Sequence, residues 1–198
     1  MIVATTKSFL FHPSPSYSDV EQRSARWAHN PKVAGSNPAI ATNFKSNIMG
    51  TRSLTRVIPR QKGISFAEGH KMAKKAIVNM YQQYDGYPEW VGVKLAEFTG
   101  PIKMGNGISG QVKMGEFANG AGCFAAQLVN KFKDKVGNSY LYECDGEIGD
   151  YGEEYIYTLY PKTGEETYIS IYNVWQKECI FVGTADELIK KYKSKKND

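Results

Sequence analysis

Apolar side chains recur along this chain at two different periods. Over 51–59, Leu54 and Val57 stand among polar neighbours as in a short strand, and 76–84 (AIVNMYQQY) reads as a second strand. The pair Asp85-Gly86 ends that strand as a turn. Pro88 then opens a predicted helix over 88–98, because proline at the first helical position forfeits no hydrogen bond. Val91, Leu95 and Phe98 line one side of it. The intervening segment, 60–74, fits either a loop or a short helix.

Glycine breaks the pattern over 100–115, which is expected to be irregular. A longer helix is predicted over 116–136, where Phe117, Phe124, Leu128 and Phe132 recur at helical spacing and Ala121, Ala125 and Val129 widen the apolar stripe. At about 1.5–3 kcal/mol per buried large side chain, such a face must pack on a sheet. Strands are predicted at 139–144, 154–160, 167–174 and 179–182, with Lys162-Thr163-Gly164 suited to a hairpin turn. Thr184-Ala185-Asp186-Glu187 is a capping box that starts a last helix, with Leu188, Ile189 and Tyr192 inward. Strands that follow one another through short turns pair antiparallel. The expected fold is therefore α+β: an antiparallel sheet of about five or six strands, with roughly two or three helices packed mainly on one face.

The amino-terminal quarter reads as a segment of different origin. Residues 18–43 back-translate into a transfer-RNA gene, and this constrains them more than any packing pattern does. The run 33–39 (VAGSNPA), taken as GTN-GCN-GGT-TCG-AAT-CCN-GCN, supplies a stem closed on a T-loop, and 40–43 complete the acceptor strand and CCA end. Residues 27–31 (WAHNP), taken as TGG-GCT-CAT-AAC-CCA, supply an anticodon stem and loop presenting the methionine anticodon. On this reading 1–48 are a disordered leader from spurious translation, and Met49 is the start. Four of the eight prolines (Pro13, Pro15, Pro31 and Pro38) fall in this stretch, which also disfavours packed elements. A targeting peptide is the alternative, but the stretch lacks a continuous apolar core and carries Asp19 and Glu21.

The charge picture changes with that division. The full chain holds 25 Lys/Arg and 20 Asp/Glu, for a net charge of +5. Residues 1–48 contribute five of the bases and two of the acids, and the lysine-rich tail at 191–198 contributes four and one. The single expected domain, 49–190, is left with 16 bases against 17 acids, a neutral body that argues against nucleic acid as partner. Three scattered cysteines (Cys123, Cys144 and Cys179) make no disulfide framework. No apolar run approaches the ~20 residues that span a bilayer. A protein of the reducing cytoplasm, with no membrane contact, is expected.

Candidate chemistry is sparse. Gly105 to Gly110 matches G-x-G-x-x-G, but Pro101 shortens any preceding strand and the next helix starts late, so a flexible loop is favoured over a dinucleotide site. The acidic run Glu143, Asp145, Glu147, Asp150, Glu153 and Glu154 departs from calcium-loop spacing and reads as a solvated loop. Past Met49 the one histidine is His70, with no marked nucleophile beside it. No cofactor and no metal are implied. Asp85 sits at a strand-to-helix junction, and with Arg52 nearby it is the weak catalytic candidate; turn formation, helix capping or an ion pair with Arg52 or Arg56 serve as well.

Tyrosine is the outstanding feature of the strands. Two-residue alternation puts Tyr140 with Tyr142, Tyr155 with Tyr157, and Tyr168 with Tyr172. Cross-strand aromatic pairing is the simplest role for these rings. If helices cover the opposite face, the same six rings form an amphipathic binding surface.

The segments TRSLT (51–55), YDGYP (84–88), GCFAAQL (122–128) and EYIY (154–157) resemble a family of small tailed-phage and prophage proteins, over about 49–182. The resemblance brings no activity with it. It implies a phage-type accessory protein of a bacterial host. The expected function is non-catalytic binding of a host or phage protein through the tyrosine face. The alternatives are a small hydrolase or transferase using Asp85 and Arg52, and a binder of single-stranded nucleic acid.

Overall fold

A computed structural model describes residues 50–107 and 113–193. The predicted leader at 1–48, the end of the lysine tail and the second half of the glycine motif (108–110) lie outside these residues.

Along the chain, β1 (Ser53–Val57) leads into two turns of 3-10 helix, Phe66–Lys71 and Ala73–Lys75, and then β2 (Val78–Gln82). One π-helical turn, Pro88–Gly92, runs directly into α1 (Val93–Thr99). Next come β3 (Lys103–Gly105), β4 (Phe117–Asn119) and α2 (Gly120–Phe132). The chain closes with β5 (Ser139–Leu141), β6 (Tyr155–Lys162), β7 (Glu165–Asn173), β8 (Glu178–Gly183) and α3 (Ala185–Tyr192). The predicted capping box is present: Thr184 N–H donates to the Glu187 carboxylate over 2.8 Å, and Glu187 N–H donates to Thr184 Oγ1.

The main sheet has six strands in the order β5-β2-β1-β6-β7-β8. The α+β architecture with a mostly antiparallel sheet is as expected. One pair departs from it: β1 runs parallel to β6, with Ser53 opposite Tyr155 and Val57 opposite Leu159. Strands so far apart in sequence can be joined by a long crossover, and the intervening chain supplies one that carries α1 and α2. The helix predicted over 116–136 is shorter than expected. Residues 117–119 pair with β3 instead, and Gly120 makes the turn into the helix with φ 74. Gln127 stitches this junction, accepting from Gly115 N–H and donating to the Phe117 carbonyl, each over 2.8 Å.

All three α-helices cover one face of the sheet. Val57, Met80, Leu159, Ile169 and Ile171 form its apolar floor, beneath Leu95 and Phe98 of α1, Phe124 and Leu128 of α2, and Leu188 of α3. The Phe98 ring lies 5.4 Å from that of Phe124 and 6.2 Å from that of Phe132. The opposite face is covered as well, by the 3-10 turns and by the acidic loop before β6. Leu54, Tyr81 and Ile156 pack there with Tyr142, Tyr151 and Tyr172. β1 is consequently buried on both sides along its whole length.

Phe124 is fully buried, so Phe124→Ala is expected to cost about 3–5 kcal/mol through lost contacts and a residual cavity. Val136 is 99 % exposed, and Val136→Ser should stay within about 0.5 kcal/mol of the parent. Urea unfolding of the two variants checks both values.

Candidate binding site

The turn after β2 is fixed from inside the protein. Asp85 adopts the left-handed region at φ 57, a conformation that aspartate tolerates better than most side chains. Gly86 donates its N–H to the Thr51 carbonyl over 2.8 Å, and its own carbonyl accepts the Tyr157 hydroxyl at 2.7 Å. A Cβ on Gly86 would stand 2.8 Å from the Thr51 oxygen, so no other residue fits without moving the backbone. Pro88 then sets the first helical position, as expected from the sequence. The turn holds Tyr84, Tyr87 and Trp90 at the surface, 50 %, 42 % and 46 % exposed.

A cavity of about 410 Å³ opens beside Asp85, between the end of β2 and helices α1 and α2. Buried Val91, Phe98 and Phe132 contribute apolar surface to it, and Gln82 a buried amide. Charged side chains from the turn and both helices also line it, among them Asp85, Lys94 and Lys131. A second cavity of about 510 Å³ lies where α3 begins, against the β6–β7 turn and β3; Glu165, Glu166 and Asp186 line it with Lys103. Among the described residues, no group of three or more His, Cys, Asp or Glu could hold a metal ion.

The six tyrosines do not share one surface. Strand register places Tyr155 and Tyr157 beside Ser53 and Thr55 on the helix-covered face, where Tyr157 is completely buried. Tyr140, Tyr142, Tyr168 and Tyr172 belong to the opposite face. There Tyr142 stacks on Tyr151 at 4.5 Å, Tyr168 lies under Phe66 at 5.0 Å, and Tyr172 stacks on His70 at 3.6 Å. Of the six, Tyr140 alone is classed as exposed. Alternation tells which neighbours share a face; it does not tell which face another segment will cover. Burial raises the phenol pKa of Tyr142, Tyr155, Tyr157 and Tyr160, and pushes Tyr192 up to about 12.

Arg52 and Asp85 are not brought together. Arg52 projects toward Gly152 on the face away from the helices, and no ion pair joins it to Asp85. Its neighbour Arg56 is fully buried on that same face, donating Nε to Asn79 Oδ1 at 3.1 Å and Nη1 to the His70 carbonyl at 2.8 Å. Burial lowers the Arg56 pKa, with the Glu153 carboxylate opposing the shift. Glu153 is itself buried and accepts the N–H groups of Gly149 and Tyr151, so this member of the acidic run staples its own loop. Burial likewise lowers the pKa of His70.

Sequence reasoning missed the residues gathered around the cavity. Gln82, Lys94 and Lys131 come from three separate elements, and no local spacing links them. No family model, curated protein or solved structure matches this chain.

The buried phenols make stability pH-dependent. Their ordinary pKa is 10.0, and the folded values lie above it. The stability they contribute is fully present below pH ~10 and is lost as pH rises toward the folded values, because the unfolded chain ionises first. Urea midpoints should therefore fall above pH ~10, and less steeply in Tyr157→Phe. At neutral pH that variant should cost about 1–2 kcal/mol for the lost bond to Gly86. Tyrosinate absorbance followed alongside unfolding checks both expectations.

Proposed function

We propose that this chain is a non-catalytic, phage-type accessory module that binds another protein through an aromatic rim at one end of its sheet. The observation that carries this reading is the cluster Tyr84, Tyr87 and Trp90 on a turn whose backbone is tied down at Gly86. Tyr155 extends it, with its ring 6.4 Å from that of Tyr87. Backbone bonds at the same sheet end run from Val174 N–H to the Glu154 carbonyl and from Glu154 N–H to the Arg52 carbonyl, each over 2.9 Å. They bring in the β7–β8 turn, which carries Trp175, 78 % exposed. Tyrosine and tryptophan offer large contact area with few torsions to freeze, which is why they concentrate in binding surfaces.

The rim replaces the tyrosine face of the sheet as the favoured surface, since most of that face is covered. Two findings weigh against an enzyme built on Asp85 and Arg52: the two side chains make no ion pair, and His70 is buried on the face away from the helices, across the sheet from the cavity beside Asp85. The partner class is a host or phage protein.

The full chain and a Tyr87→Ser/Trp175→Ser double variant, both immobilised, should retain different partners from bacterial lysate. Rim anchors of this kind are worth about 2 kcal/mol or more each, so at least one protein held by the parent should drop well over tenfold in the variant. The variant should keep the parent's unfolding midpoint. Equal capture by both chains would refute the rim, and retention on single-stranded DNA that weakens with salt would favour nucleic acid instead.

A further inference from the structure

The cavity beside Asp85 has a pattern of unmatched polar groups that defines a ligand class. Its buried apolar surface comes from Val91, Phe98 and Phe132. Gln82 lines it too; this side chain is 5 % exposed, and its Oε1 has no hydrogen-bond partner in the protein. An amide oxygen can only accept, so Gln82 favours a ligand that brings an N–H or O–H group.

The charges follow a second pattern. Glu97 is held by Lys193 Nζ at 2.9 Å, and Asp134 accepts the Asn138 amide at 2.8 Å. Asp85, Lys94 and Lys131 are left without ion-pair partners among the described residues. Both signs are therefore available around one cavity whose wall is apolar only at Val91, Phe98 and Phe132. A simple anion would meet the lysines but be opposed by Asp85, and a simple cation would meet the reverse. A compact ligand carrying both charges satisfies all three side chains.

We propose that this cavity binds a free α-amino acid with a large apolar side chain. The ammonium group donates to Asp85 and toward Gln82, the carboxylate accepts from Lys94 and Lys131, and the side chain lies on Phe98, Phe132 and Val91. The volume, about 410 Å³, falls within the range of roughly 300–1,000 Å³ usual for small-ligand pockets. This proposal rests on the cavity and not on protein binding at the aromatic rim, although Tyr84 borders both.

Calorimetric titration of the full chain with L-leucine and L-tryptophan tests it, beside their N-acetyl and carboxamide derivatives and adenosine monophosphate. The free amino acids should bind saturably, and blocking either charge should weaken binding by about tenfold or more, roughly 1.4 kcal/mol. In Asp85→Asn, a change that the left-handed backbone tolerates, the preference for the free amine should disappear. In Lys94→Gln/Lys131→Gln, the preference for the free carboxylate should disappear. No saturable binding of either amino acid, equal affinity for the blocked forms, or tighter binding of the nucleotide would each overturn the proposal. So would variants that fold like the parent and keep its full discrimination.

Discussion

The hydroxyl of Tyr157, donating across 2.7 Å to the Gly86 carbonyl, joins the middle of the sheet to the turn that shapes one end of the molecule. It lies in a completely buried position, where an unpaired carbonyl would be costly and a phenol without a partner equally so. Each group therefore requires the other. Gly86 can take part because it has no side chain: its backbone lies against Thr51, just before β1, where a Cβ would collide. The conformation of Asp85, the direction taken by the π-helical turn and the exposure of Tyr84 and Tyr87 all follow from this closed contact. A binding surface built on such a turn loses little conformational freedom on binding, because folding has already fixed it.

On the far side of the sheet a different constraint operates. β1 is covered on both faces, yet it contains Arg56, fully buried. Lone burial of a guanidinium would be severely unfavourable, so the surroundings supply oxygens: Asn79 from the adjacent strand and the His70 carbonyl from the 3-10 segment. Asn79 in turn donates to the Glu143 carbonyl of the acidic loop, 2.8 Å away. One side chain in a central strand thus anchors two segments with little apolar sequence of their own. These segments cover Tyr168 and Tyr172, and hence decide that the sheet offers no open tyrosine face there.

That dependence explains what could be inferred from the amino acids alone. Strands, the capped last helix and the α+β class were legible because each rests on a local signal: alternation, Pro88, or the pair Thr184 and Glu187. The helix stripe of Phe124, Leu128 and Phe132 was legible for the same reason, although Gly120 and the short β3–β4 ladder delay its start. The parallel pairing of β1 with β6 was not legible, since it is set by which strands meet after a long crossover. Nor was the covering of the second face, because 66–75 has no strong period and is held by a buried arginine from elsewhere. The cavity was hidden for a related reason: Gln82, Asp85, Lys94 and Lys131 share no motif and meet only after folding. The aromatic rim lay in plain view at 84–90, but nothing local distinguishes rings destined for solvent from those destined for the core.

The pairing of surface charges gives that cavity its meaning. Ion pairs among the described residues include Glu165 with both Arg60 and Lys162, Glu68 with Lys71, and, in the cavity wall itself, Glu97 with Lys193. Such exposed pairs contribute little stability, about 0–1 kcal/mol each, so their presence is not what makes the fold hold. In the cavity wall the pair of Glu97 with Lys193 satisfies one carboxylate, while Asp85, Lys94 and Lys131 have no ion-pair partner among the described residues. The position of Asp85 is fixed, since its backbone is locked in the left-handed region and its neighbours are committed to the turn. Lys94 and Lys131 project from separate helices whose buried faces fix their positions. The result is a set of opposite charges held around a cavity with an apolar patch at Val91, Phe98 and Phe132, an arrangement that suits a ligand bearing both signs.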